Sequence, residues 1–226
     1  MRITSGLKII LVLALVASLT ACASRPSRNP YWDAQDYVVS GRYMNDIRRV
    51  ETPAQFYILT QSAHIKNPAI VLDIDETSLS NWPELAANRL VFRMDGPCAH
   101  LPQGPCGLEA WQQQARAAAI IPTLDLFQVV RRKEIAVFFL TGRDETLRTA
   151  TVQNLKRTGF ADWTGLIMRP AGTTTPSAAD YKAPARAKIE AMGYTVVATI
   201  GDQQSDLDGG HAMAAFKLPN PFYTIP

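Results

Sequence analysis

Short apolar runs alternate with stretches of helical periodicity along most of this chain. From Trp32 to Arg49 the apolar residues Tyr37, Val38, Tyr43, Met44 and Ile47 recur at helical spacing, and Gly41 marks a bend or a break between two helices. Thr52-Pro53 reads as an N-cap followed by proline at the first helical position. A new helix is therefore predicted from there through about Ile65, with Phe56, Leu59 and Ala63 on its apolar face. Next comes a brief β-branched run, Ile70-Val71-Leu72, introduced by Asn67-Pro68; it predicts a buried strand of a parallel sheet. Ser78 to Ile121 carries no strong strand signal. Its Trp82-Pro83 step, a Pro/Gly-rich stretch and a helical pattern from Leu108 to Ala119 predict a small, mainly helical cap inserted at about residues 78–121.

Regular alternation then resumes. A helix is predicted from Pro122 to about Lys133, a strand over Ile135–Leu140, a helix from about Glu145 to Arg157 closed by Gly159, and a short strand over Leu166–Met168. The loop Arg169–Ser177 follows. After it come a helix Lys182–Met192 with Pro184 in its first turn, a strand Thr195–Ile200 and a last short strand near Ala214–Leu218. Strands alternating with helices define an α/β fold with a doubly wound parallel sheet, and right-handed crossovers bring the strand ends to one edge.

The first residues differ in kind. Arg2 and Lys8 form a basic start, Ile9 to Ala17 is apolar but too short to span a bilayer, and small residues follow: a secretory signal peptide over residues 1–21. Leu19-Thr20-Ala21-Cys22 resembles the lipobox of bacterial lipoproteins. That resemblance implies cleavage before Cys22, lipid on Cys22, and a polar, Pro-containing tether over 22–31. Ala23, rather than Asp, after the cysteine fits the outer membrane of a Gram-negative envelope, with the domain facing the periplasm.

Cleavage would remove Arg2 and Lys8 and take the formal charge from +3 to +1, so nothing points to a nucleic-acid partner. With Cys22 lipidated, Cys98 and Cys106 remain, and an oxidising compartment predicts a disulfide between them. Two free thiols are one alternative. A zinc site using His100 is another, but it lacks a fourth ligand and CxxC spacing. Residues 32–226 are then one α/β domain with its insert; its oligomeric state is not legible.

The chemistry lies at the strand ends. Asp73 and Asp75 are two apart and face one small volume, with Thr77 beyond them. Two carboxylates that close need a hard cation such as Mg²⁺, or a proton kept on one of them. Thr141 and Arg143 end the second long strand, Asp202 and Asp206 end the fourth, and Lys182 comes from a helix start. Carboxylates, a hydroxyl and a lysine form a kit for phosphoryl transfer.

Asp73-Ile74-Asp75-Glu76-Thr77, Phe139-Leu140-Thr141-Gly142-Arg143, Tyr181-Lys182 with Arg186, and Gly201-Asp202-Gln203-Gln204-Ser205-Asp206-Leu207 resemble, in order, the four motifs of the haloacid dehalogenase (HAD) superfamily. The extension through Leu79-Ser80-Asn81 resembles its class B-type acid phosphatases, a group that includes bacterial lipoprotein phosphatases and plant enzymes related to storage proteins. The resemblance implies a HAD-like Rossmannoid core and a Mg²⁺-dependent phosphomonoesterase. Asp73 would be nucleophile and metal ligand, and Asp75 acid/base with its carbonyl on the metal. Thr141 would bind phosphate, and Lys182 would offset charge. Asp202 would ligate metal, with Asp206 acting through water or hydrogen bonds. Arg143 either contacts phosphate or braces the loops; Arg186 either shares the Lys182 face and binds phosphate or is a solvated charge.

Asp75 favours an ester over a halide substrate, because only an alkoxide leaving group needs a proton. Trp82, Phe92, Arg93 and Trp111 in the cap either hold an aromatic group such as a nucleoside monophosphate base or form cap core. Two other readings keep the fold: a silent binding or storage protein, and a phosphotransferase acting on alcohol acceptors.

Overall fold

The structure, a computed structural model, describes residues 29–173 and 177–225. The signal peptide, Cys22 and residues 22–28 of the tether lie outside the described residues, as do residues 174–176 of the loop before the Lys182 helix.

Helix α1 (Pro30–Val39) is capped by the Asn29 side chain. It turns at Gly41, whose φ of 77° favours glycine, into α2 (Arg42–Ser62). The helix expected to start at Pro53 is instead the second half of α2. Pro53 cannot donate a hydrogen bond, and Thr52 Oγ1 donates to the Arg48 carbonyl one turn back, at 2.8 Å. One buried face, Ile47, Glu51, Ala54 and Ile58, runs straight through the proline, so packing overrides the local stop signal.

Strand β1 (Pro68–Leu72) leads into the insert. There β2 (Leu79–Ser80) pairs antiparallel with β3 (Ala118–Ala119), and α3 (Trp82–Ala87) and α4 (Leu108–Gln113) are each six residues long. The helical pattern expected to reach Ala119 thus stops at Gln113; Ala115 has a positive φ, and the backbone then extends to pair with β2. Cys98 and Cys106 are joined by a disulfide.

The rest winds regularly: α5 (Ile121–Arg132), β4 (Ala136–Asp144), α6 (Arg148–Arg157), β5 (Gly165–Arg169), α7 (Ala179–Ala191), β6 (Thr195–Gly201) and β7 (Ala214–Lys217). Helix α7 begins three residues before Lys182, which leaves Pro184 in its second turn rather than its first. The five long strands form one parallel sheet in the order β5-β4-β1-β6-β7.

Both faces of this sheet are largely apolar: β1 carries no polar residue, β4 none before Thr141, and β6 only Thr195 and Thr199. Ile70 and Leu72 of β1, with Val137 and Phe139 of β4, pack under α2 and α5; Ala69 and Val71, with Phe138 and Leu140, pack under α7. The strand run that reads as continuously hydrophobic in sequence is therefore divided between two cores. The polar residues begin where β1, β4 and β6 end, at one edge of the sheet.

Candidate active site

Each side of the site is the end of a strand. After Leu72 the chain makes one more sheet bond, from Asp73 N to the Ile200 carbonyl, and then curls. Glu76 takes a φ of 51° in that curl. A non-glycine residue in this region costs on the order of 1 kcal/mol. Its N–H donates to the Leu79 carbonyl, and its carboxylate accepts from Asn81 N at 2.6 Å, which fixes the turn. Ser78 Oγ donates to the Asp73 carbonyl at 2.6 Å.

Two charged groups divide the aspartates. Lys182 Nζ donates to Asp73 Oδ1 at 2.7 Å and, more closely, to Asp206 Oδ1. The guanidinium of Arg143 grips Asp75 with two nitrogens, Nη2 to Oδ1 at 2.7 Å and Nε to Oδ2 at 3.0 Å; Asn81 Nδ2 adds a bond to Oδ1 at 2.7 Å. Gln112 from α4 reaches the same oxygen at 3.2 Å. Asp202 is held by Thr77 Oγ1 at 3.1 Å and Asn220 Nδ2 at 2.7 Å, and Lys217 Nζ donates to its backbone carbonyl at 2.8 Å. Gly201 is required just before it, because a Cβ there would collide with the Asp206 side chain.

Environment separates the carboxyls. Burial pushes Asp75 up, but the Arg143 charge and its hydrogen bonds more than offset this and hold it below the ordinary carboxylate range. Burial raises Asp73, Asp206 raises it further, and Lys182 opposes both; the net direction is upward. Burial, then Asp206, pushes Asp202 up to about 6. Burial lowers Lys182, but Asp206 and Asp73 more than offset it and hold the ammonium above its ordinary value.

Asp73, Asp202 and Asp206 are all buried, and one ligand oxygen from each lies within 4.8 Å of the others. One lysine among three buried carboxylates leaves excess negative charge. An oxygen-only donor set with that deficit fits a hard divalent cation.

A cavity of about 420 Å³ opens over these groups, lined by Asp73, Asp75, Arg143, Lys182 and Asp202. Phe92, Met94 and Leu108 of the insert line it from another side, with Tyr181 and Tyr223. The structure thus gathers five of the expected residues at one opening. Thr141 sits beside it: the hydroxyl is buried and accepts from Arg143 N at 3.1 Å, and its neighbours Gly142 and Arg143 form the wall.

Arg186 corrects the expectation in both its forms. It is fully buried and neither faces the cavity nor meets solvent. Its Nε donates to the Gly210 carbonyl at 2.9 Å and Nη1 to the Asp206 carbonyl at 2.7 Å, and Nη2 reaches the Asp208 carbonyl, so it clamps the loop after β6. Helical spacing put it on the Lys182 side of α7, but the loop's carbonyls lie within its reach.

Trp82 and Trp111 are likewise not substrate aromatics. Trp111 is buried, with Nε1 on Asn81 Oδ1 at 2.9 Å, and Trp82 packs on Phe222. Arg93 is exposed and outside the cavity lining; of the four cap candidates only Phe92 lines it.

Sequence reasoning missed Asn81, Gln112, Asn220, Tyr223 and the hydroxyls of Tyr181 and Ser205. These last two are buried without a hydrogen-bond partner among the described residues, and both residues line the cavity. Asn81, Tyr181 and Ser205 stand inside the motifs read from the sequence, but nothing there gave them a role; Gln112, Asn220 and Tyr223 carried no signal.

A parallel sheet whose carboxyl edge presents this acid, lysine and arginine set defines a phosphoryl-transfer enzyme of the HAD type. A sequence profile of the HAD superfamily, subfamily IIIB (acid phosphatase), matches residues 25–226, and the chain belongs to that family. It is a phosphomonoester hydrolase.

Among curated proteins it is 33% identical to the stem 28 kDa glycoprotein of Glycine max over 84% of this chain and 73% of that one. It is also 33% identical to acid phosphatase 1 of Solanum lycopersicum, over 84% of this chain and 72% of the other. Among solved structures, the class C acid phosphatase from Bacillus anthracis superposes with a TM-score of 0.69 at 20% identity, covering 86% of this chain and 85% of that one, which shows a shared fold.

Proposed function

We propose that this acid phosphatase works by a Mg²⁺-dependent, two-step displacement through Asp73. The observation that carries the reading is the division of labour at the cavity: Lys182 is on Asp73, Arg143 on Asp75, and Asp73, Asp202 and Asp206 converge. In the first step Asp73 attacks phosphorus opposite the leaving oxygen and the bond to that oxygen breaks; Asp75, which Arg143 holds ionised in the free protein, gives that oxygen a proton acquired as the bound phosphate's negative charge raises it. In the second step Asp75, now a carboxylate, takes a proton from water as the water attacks phosphorus; the Asp73–phosphorus link breaks and phosphate leaves.

Lys182 screens Asp73 from the incoming anion, and Arg143 keeps Asp75 aimed. Thr141 shapes the turn that presents Gly142 and Arg143. A Mg²⁺ held by Asp73, Asp202 and the Asp75 carbonyl, with Asp206 acting through water or hydrogen bonds, would neutralise phosphoryl charge. The substrates would be small phosphate esters, with nucleoside monophosphates among those the cavity's volume and aromatic lining admit.

We further propose that the insert, about residues 78–121, is a cap that selects among esters, and that the domain is anchored in the bacterial envelope by lipid on Cys22, facing the periplasm. The Cys98–Cys106 disulfide supports an oxidising compartment. Mass spectrometry of the mature N-terminal peptide should find an acylated cysteine; an intact Met1 terminus would refute the anchor.

The catalytic reading is tested by phosphate release from p-nitrophenyl phosphate and nucleoside monophosphates, with Mg²⁺ and with EDTA. Turnover should be lost in EDTA and restored by Mg²⁺. Undiminished turnover in EDTA would refute the metal assignment.

A further inference from the structure

The segment after β7, residues 218–225, returns across the sheet edge, and its Asn220 makes two kinds of contact. Its Oδ1 accepts from the backbone of Phe222 at 2.8 Å and of Tyr223 at 3.4 Å, which forms a local turn. Its Nδ2 points the other way and donates to Asp202 Oδ2 at 2.7 Å.

Gln203 Nε2 donates to that same oxygen, and Gln203 Oε1 in turn accepts from Ile225 N at 2.9 Å, so the segment fixes both amides. Two amide N–H groups fill the two lone pairs of Oδ2. Among the described residues Oδ1 receives only Thr77 Oγ1 and keeps a lone pair for a ligand. The segment itself is well seated: Phe222 packs against Tyr43 and Trp82, with ring centroids 5.2 and 5.5 Å away, and the Tyr223 hydroxyl bonds Glu76 Oε2.

We propose that the segment following β7 is part of the active site, with Asn220 as a positioning residue that holds Asp202 in its ligand orientation. The inference rests on the reading of Asp202 as a metal ligand. A carboxylate free to rotate must give up that freedom on binding, and hydrogen-bond partners behind a ligand commonly govern metal affinity by about 10–100-fold. Nothing in the chain's motifs marks Asn220, which lies 18 residues beyond Asp202 in a proline-flanked stretch.

The test titrates Mg²⁺ calorimetrically into the full-length chain in detergent, without substrate, and measures kcat against Mg²⁺ concentration separately. Asn220→Ser keeps an acceptor for the turn but cannot reach Asp202; Asn220→Ala keeps neither; Asp202→Asn is the control. Both Asn220 variants should bind Mg²⁺ about tenfold more weakly or worse and recover kcat at saturating Mg²⁺, and Asn220→Ser should melt as the wild type does. A purely structural loss would not be rescued by the ion.

Affinity within about twofold of wild type in Asn220→Ser, with binding lost in Asp202→Asn, would overturn the positioning role. So would a loss in Asn220→Ala alone, which would assign Asn220 to the turn. Unchanged Mg²⁺ binding in Asp202→Asn would instead overturn the metal reading beneath it.

Discussion

Glu51 is a buried carboxyl between α2 and α5, and its hydrogen bonds state its protonation. Thr123 Oγ1 lies 2.7 Å from Glu51 Oε1 and 2.6 Å from the Thr77 carbonyl. A hydroxyl has one proton, so both contacts are hydrogen bonds only if Glu51 donates to Thr123 and Thr123 donates to Thr77. The surroundings point the same way: burial raises Glu51 to about 8 and Asp125 adds to the rise, which outweighs Arg48 and any proton lent by Thr123.

In the unfolded chain the group returns to its ordinary value of 4.5. The folded protein therefore holds a proton that the unfolded one releases, and this contribution to stability is full below about 4.5 and is lost as pH rises to about 8. Its size is on the order of a few kcal/mol. Glu76 and Glu84, raised by burial to about 8 and about 7, slope the same way, so the informative quantity is a difference. Glu51→Gln should flatten the fall in urea-unfolding free energy between pH 5 and 8 relative to wild type; parallel curves would show that Glu51 is ionised.

Among the elements, α2 shows where reading by sequence ends. Thr52-Pro53 is a sound local start signal, yet one apolar face continues across it and burial decides. Pro53 still costs the helix one hydrogen bond. Pro53→Ala should therefore stabilise the fold by about 1–3 kcal/mol, seen as a higher urea midpoint at unchanged slope. No gain would mean that the lost bond is compensated by the unfolded chain's stiffness.

The strands were legible because fully apolar runs ending in aspartate have few other uses, and β1, β4 and β6 place Asp73, Asp75, Arg143 and Asp202 as their spacing implies. The partners were not. Asn81, Gln112 and Asn220 reach the aspartates from loops and a short helix whose paths no periodicity describes. Arg186 was misassigned because a helix face says where a side chain starts, not which carbonyls lie within its length.

At the scale of the whole molecule, the doubly wound sheet brings together residues that lie far apart in sequence. Lys182 meets Asp73 across 109 residues and Arg143 meets Asp75 across 68. The insert between β1 and α5 and the segment after β7 then enclose that edge from two directions, Phe92 and Tyr223 touching with ring centroids 5.8 Å apart. The Lys182–Asp73 pair beneath them is buried, which strengthens that charge contact.

In the proposed reaction phosphate passes through Asp73. That passage is tested most directly by mixing the full-length enzyme with substrate and Mg²⁺, quenching in acid within the first turnover, and mapping the peptides by mass spectrometry. One added phosphoryl group is expected on the peptide bearing Asp73, absent in Asp73→Asn and discharged when the quench is delayed. Turnover without any such adduct, or a phosphoryl group on another residue, would contradict it.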